Sequence, residues 1–204
     1  VAAVKLLEAA ERPIIVAGGG VVWSQAQAEV VKLAEQLSIP VATSLNAKGA
    51  ILDTHALSVG VVGTYSRTSA NKSVGEADLV FFIGSHTGGQ VTARWQVPKI
   101  GTRVIHLDID AATIGRNYPT ELALLGDAKT VLQQMIAFGG GKNKHAAWLG
   151  RVNELKKEFR DAVAATLDFY GAPPEMADRK PPMPRRKPTP PPRMPSYMEE
   201  EITR

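Results

Sequence analysis

The feature that most constrains this chain is an alternation that runs from its start to about residue 138. Short, continuous apolar runs are separated by stretches with helical spacing. The runs are Ile14–Ala17, Val41–Thr43, Leu79–Ile83, Val104–Leu107 and Leu122–Leu125, with a weaker sixth at Leu57–Val62. Because they are unbroken rather than alternating with polar residues, they read as strands buried on both faces. Between them, Val30, Leu33, Ala34 and Leu37 recur at helical spacing behind a capping-box pair, Ser24 and Gln27. Ala70, Val74 and Ala77 form a shorter stripe. Asp127 stands where an N-cap would open a helix burying Val131, Leu132, Met135 and Ile136. Such alternation predicts a doubly wound α/β fold: a mostly parallel sheet of about six strands, with helices on both faces and right-handed crossovers.

Beyond Gly139-Gly140-Gly141, the residues Trp148, Val152, Leu155 and Phe159 make one apolar stripe on a longer helix. It should dock on the domain or on a neighbour. Past Tyr170 the composition changes, with ten of the fourteen prolines between Pro173 and Pro195. That density forbids helix and sheet ladders, so an extended linker or tail is expected. Arg185, Pro188, Pro191 and Arg193 also match a polyproline ligand in either orientation, although the linker reading is favoured. Glu199-Glu200-Glu201 reads as a solvated charge run. The organisation is then a domain over 1–140, a helical extension over 141–170 and a Pro-rich linker or tail over 171–204.

Composition narrows the chemistry. Cysteine is absent, which removes disulfides, thiolate nucleophiles and Cys-built metal sites. The histidines at 55, 86, 106 and 145 have no metal-ligand spacing. A net charge of +4, without a basic face interleaved with aromatics, argues against nucleic acid. Neither a long apolar run nor a leader-like start is present, so no membrane role and a cytoplasmic location are expected. The missing initiator Met points to an excised piece.

Strand Ile14–Ala17 runs into Gly18, Gly19 and Gly20, where backbone N–H groups could seat a phosphate near a helix start. A tight turn with no ligand explains the same glycines. The dinucleotide fingerprint itself fails twice. Trp23 fills its third glycine position, and Ala42-Thr43-Ser44-Leu45 supplies no acid where the ribose would need one. Glycines recur at other strand ends, at Gly84 to Gly89 and at Gly126 before Asp127. Asp108 and Asp110 flank Ile109 after another strand; such carboxylates either accept ribose hydroxyls or cap the next turn. These loops should converge at one edge of the sheet.

Four segments carry a resemblance: "RPIIVAGGGV" at 12–21, "LAEQLSIPVATSLNAKGAI" at 33–51, "EADLVFFIGS" at 76–85 and "RVIHLDIDAATIGRNYPTELALLGDAKTVL" at 103–132. Their order resembles the Rossmann-like central domain of thiamine-diphosphate enzymes of the acetolactate synthase type. The resemblance implies a three-domain parent, usually oligomeric, that decarboxylates or ligates 2-keto acids. In such parents thiamine diphosphate and Mg²⁺ sit between the N- and C-terminal domains, both outside this chain. The central domain holds FAD in acetolactate synthases and ADP in acyl-CoA relatives. Carried over, Gly18, Gly19 and Gly20 would approach the FAD phosphates or ribityl chain, and Gly84 would begin the loop over the diphosphate. Asp108, Ile109, Gly126 and Asp127 would lie around the adenosine end.

The sequence departs from the family at His86, where FAD-binding members carry an Arg; a neutral imidazole cannot make a guanidinium's bidentate contact. Gly126-Asp127 with Asn153 mimics the GDG…N motif by which the family's C-terminal domain holds Mg²⁺, but Ala128 breaks it, and no catalytic residue is assigned. The alternative is a free-standing adenine-nucleotide module whose Pro-rich tail binds a partner. A sirtuin-like NAD enzyme would need the failed fingerprint and a Cys₄ zinc site.

Overall fold

The computed structural model describes residues 1–141 and 145–170, with side chains to residue 166. The proline-dense segment and the closing acidic run lie outside the described residues. Residues Val1–Ala164 form one compact unit, and a second unit begins at Ala165. The chain runs α1 (Ala2–Ala9), β1 (Pro13–Ala17), α2 (Gly19–Trp23), α3 (Gln27–Leu37), β2 (Val41–Thr43) and β3 (Ser58–Val61). It continues through α4 (Thr68–Glu76), β4 (Leu79–Ile83), β5 (Arg103–Asp108), β6 (Leu122–Leu125), α5 (Ala128–Phe138) and α6 (Ala146–Tyr170).

All six strands are parallel, in the spatial order β3-β2-β1-β4-β5-β6. Strand β1 pairs with β4 in unbroken register, Ile15 opposite Phe81 and Ala17 opposite Ile83. The two-residue alternation of the strands divides the core into two layers. Ile15, Ala17, Phe81, Ile83, Ile105 and Leu107 pack with Val4 and Leu7 of α1, Leu33 and Leu37 of α3, and Leu132 and Met135 of α5. Ile14, Val16, Val80, Phe82 and Val104 face the opposite way, against Ala70 and Val74 of α4 and Trp148 and Val152 of α6. The expected doubly wound sheet is therefore present. Phe81 and Phe82 illustrate why, since adjacent residues bury their rings on opposite faces, at about 1.5–3 kcal/mol each.

The stripe on α6 docks on this same unit. Trp148, Val152 and Leu155 are buried, and the Trp148 indole N–H donates to the carbonyl of Pro13 at 2.9 Å. Arg151 clamps the Glu76 carboxylate with two bonds of 2.9 and 2.8 Å at the end of α4.

Two local expectations differ. Strand β6 is not buried on both faces: its burial alternates, and Leu125 is largely exposed, because β6 is the sheet's edge and pairs only with β5. Ser24 does not cap α3, which starts behind Ala26 without a side-chain cap. Its hydroxyl instead donates to Asp127 Oδ2 at 2.6 Å and accepts from the Lys129 N–H at 2.9 Å, joining the end of α2 to the start of α5. Asp127 caps α5 as expected, accepting from the Thr130 N–H at 2.9 Å.

Candidate functional site

Parallel strands all end at one edge, and ligand sites of open α/β sheets form where the winding reverses. Here the reversal falls between β1 and β4. A cavity of about 430 Å³ opens at that point. Gly19, Gly20 and Trp23 of α2 form one wall, and Ser44, Leu45 and Asn46 follow from the end of β2. Val62 and Tyr65 come from the end of β3, and residues 84–91 from the loop after β4.

The floor is a backbone-to-backbone contact. The Gly18 N–H donates to the Ile83 carbonyl at 2.8 Å, and the Gly20 N–H to the Gly84 carbonyl at 2.9 Å. A Cβ on Gly18 would lie 2.2 Å from the Gly84 oxygen, and one on Gly20 would lie 2.7 Å from the Gly84 Cα. Gly84 itself sits at φ +57°, in the left-handed region. Glycine is thus required at 18 and 20 by close approach, not by an unusual φ. Gly19 differs, because its added Cβ would touch only Asn46 Cβ, at 3.5 Å.

Buried His106 of β5 holds the loop after β4 in place. Its Nε2–H donates to the Ser85 carbonyl at 2.9 Å, and Nδ1 accepts the Gly115 N–H at 3.5 Å. That pattern requires the neutral ring, and burial pushes its pKa below the ordinary 6.5 against the pull of the Ser85 bond and the nearby Asp108. Asn117 adds a 2.9 Å bond from its side-chain amide to the His86 carbonyl.

The predicted site residues fall into two groups. Gly19, Gly20 and Gly84 line the cavity, with Gly18 in the contact beneath them. Asp108, Ile109, Gly126 and Asp127 share the sheet edge but stand at the ends of β5 and β6, outside the lining. Asp108 Oδ1 accepts the Asp110 N–H at 3.0 Å. Asp110, not Asp108, caps the following turn, and its pKa is lowered by the bonds from the Ala112 N–H and the Thr113 hydroxyl. The Asp127 carboxyl is likewise held low by the Ser24 hydroxyl and by Thr130. Sequence reasoning missed Trp23, Ser44 and Tyr65 as lining residues. Trp23 registered only as a misfit in a glycine motif, although a large aromatic beside a glycine turn was itself a signal.

Among the described residues, no group of three or more His, Asp or Glu side chains could hold a metal ion. No helix among them is long and apolar enough to cross a membrane. The cavity lining contains no Lys, Arg, Asp or Glu. The N–H groups of Gly18, Gly20 and Val21 are bonded within the protein, whereas that of Gly19, which lines the cavity, has no acceptor among the described residues.

A parallel sheet in this order with a cavity at its reversal point defines a doubly wound, Rossmann-like domain. Within that class the chain belongs to the thiamine pyrophosphate enzyme central domain family, whose model matches residues 1–135. It is 41% identical over 160 residues to a probable acetolactate synthase large subunit of Methanocaldococcus jannaschii, covering 76% of this chain and 27% of that protein. A counterpart from Methanococcus aeolicus is 37% identical over 166 residues, covering 76% and 28%. The acetolactate synthase large subunit of Cyanidium caldarium is 36% identical over 161 residues, again covering 76% and 28%. The chain thus spans little more than a quarter of the length of these curated relatives.

Proposed function

We propose that this chain is the central domain of a thiamine-diphosphate-dependent enzyme that decarboxylates or ligates 2-keto acids in the manner of acetolactate synthase. It spaces and supports two flanking domains and contributes no catalytic group. The carrying observation is the family match over residues 1–135, set against relatives of which the chain covers little more than a quarter. In this reading the central domain is 1–140, the helix within 141–170 is its extension, and 171–204 links onward. Thiamine diphosphate and Mg²⁺ belong to the flanking domains of a cytoplasmic homo-oligomer. Gly18, Gly19, Gly20 and Gly84 at the cavity, with Asp108, Ile109, Gly126 and Asp127 at the neighbouring strand ends, are the candidate contacts of an FAD or ADP in the parent, with His86 standing where FAD-binding members carry an Arg.

The test is catalytic. Supplied with thiamine diphosphate, Mg²⁺ and pyruvate, the chain alone should release no CO₂ above background, and joining it to flanking domains from a relative should restore release. Decarboxylation by the chain alone would overturn the assignment.

A further inference from the structure

We propose that Lys156, on the outer layer formed by α6 and the start of α4, is a site of covalent acylation, its side-chain amine taking the acyl group of an acyl phosphate. The proposal holds whatever reaction the parent catalyses.

The first argument is the company this lysine keeps. Lys156 is half-buried on α6, and its Nζ donates to the carbonyl of Ala56 at 2.8 Å. Among the described residues no carboxylate pairs with it. Its neighbour Lys157 is the contrast, exposed and bound to Asp161 at 2.7 Å. Arg160 stands one turn further along the same face of α6 as Lys156, a like charge at four-residue spacing. Arg67, which opens α4, lies over the Phe159 ring at 5.9 Å from its centroid, so a second guanidinium is set against this helix. The Asp53 carboxylate that binds Arg67 at 2.9 Å also binds Lys48 at 3.0 Å, and is thus shared between two other cations.

Such a setting favours the free amine over the ammonium. Burial first, and then the charges of Arg160 and Arg67, lower the pKa of Lys156 from the ordinary lysine value. A lysine so placed holds the lone pair that acyl transfer needs. The neutral Nζ attacks the carbonyl carbon of the acyl phosphate, the N–C bond forms, and the bond from that carbon to the phosphate oxygen breaks. Phosphate departs with the electron pair of the broken bond, and the extra proton on nitrogen passes to water. The guanidiniums of Arg67 and Arg160 draw the anionic donor toward the amine and oppose the charge of the departing phosphate. The product suits the site as well. An acylated lysine is neutral, which relieves the crowding of cations, and it keeps one N–H for the Ala56 carbonyl.

The experiment treats the full chain with acetyl phosphate at low salt and follows acetylation of each lysine by mass spectrometry, with fragmentation to resolve Lys156 from Lys157. Lys156 should react at least about fivefold faster than Lys157, since the two share one helix and differ in their partners. In concentrated urea the two rates should converge, because the preference comes from the folded surroundings. Arg160→Gln, at an exposed position that leaves folding intact, should slow Lys156 severalfold while the rate at Lys48, paired with Asp53, stays unchanged. Equal rates at Lys156 and Lys157 in the folded chain, a preference that survives urea, or indifference of Lys156 to Arg160→Gln overturns the proposal. None of these outcomes bears on the CO₂ assay, so failure here is separable from failure of the domain assignment.

Discussion

Replacing Gly18 by alanine separates two reasons for a glycine run at a strand end, contact with a ligand and contact with the chain itself. Gly18 has φ −98° and ψ 179°, an extended conformation open to any residue, so backbone strain contributes nothing. The whole effect is steric. The new Cβ would sit 2.2 Å from the Gly84 oxygen and 2.7 Å from the Ser85 Cα, and both obstacles are backbone that cannot rotate away. Relief requires prising α2 off the loop after β4, which strains the bonds from Gly18 to Ile83 and from Gly20 to Gly84. Overpacking alone costs about 1–3 kcal/mol, and with weakened bonds a loss of about 3 kcal/mol or more is expected. For a unit of this size that lowers the unfolding midpoint by roughly 6–12 °C.

Gly19→Ala is the control. Its Cβ meets one side-chain carbon at 3.5 Å, and alanine is the better helix former by up to about 1 kcal/mol, so stability should hold or rise. Thermal unfolding followed by circular dichroism, with urea titration, measures both variants. A Gly18→Ala midpoint within about 2 °C of wild type, or equal losses at 18 and 19, would refute the backbone-contact explanation.

Two further perturbations test the ties around the site. Asp127→Ala removes the cap on α5 and the Ser24 bond together and should cost about 1–2 kcal/mol. Because Ser24 and Asp127 share one network, the double variant should lose clearly less than the sum of the singles, and strict additivity in urea unfolding would show that the 2.6 Å contact is not formed. His106→Leu strands the Gly115 N–H and the Ser85 carbonyl and should cost about 1–3 kcal/mol at pH 8. Since burial holds the folded His106 pKa below 6.5, the unfolded chain binds more protons just below that pH. The wild-type advantage is therefore full above pH 6.5 and shrinks as pH falls from there toward the lowered folded value. An advantage that stays flat or grows between pH 8 and 5 would contradict a neutral, buried His106.

The strands and four of the helices were legible along the chain, whereas α1 and the short α2 were not. All six apolar runs are strands, and the stripes led by Val30, Ala70, Val131 and Trp148 are helices. Hydrophobic periodicity is a local property, and the composition of each run answers to its own burial. Even there an edge escaped notice. Leu122–Leu125 is as apolar as the central strands, yet which strand ends a sheet depends on the order of all six. The fate of side chains with more than one nearby partner was decided only by tertiary structure. Ser24 fits a cap for the following helix, but packing sets α5 beside it, and the hydroxyl serves that helix instead.

The same holds for the site. Nothing near Gly18 in the chain says that its neighbour is Gly84, because that contact follows from β1 lying against β4. Nor do the residues after Gly84 announce a loop that turns left-handed at Ala93, Arg94 and Trp95. The glycines were legible as a place where backbone comes close to something. What it approaches, and which of Trp23, Ser44 and Tyr65 share one cavity, depends on the sheet order, since residues distant in sequence become neighbours only when their strands pair.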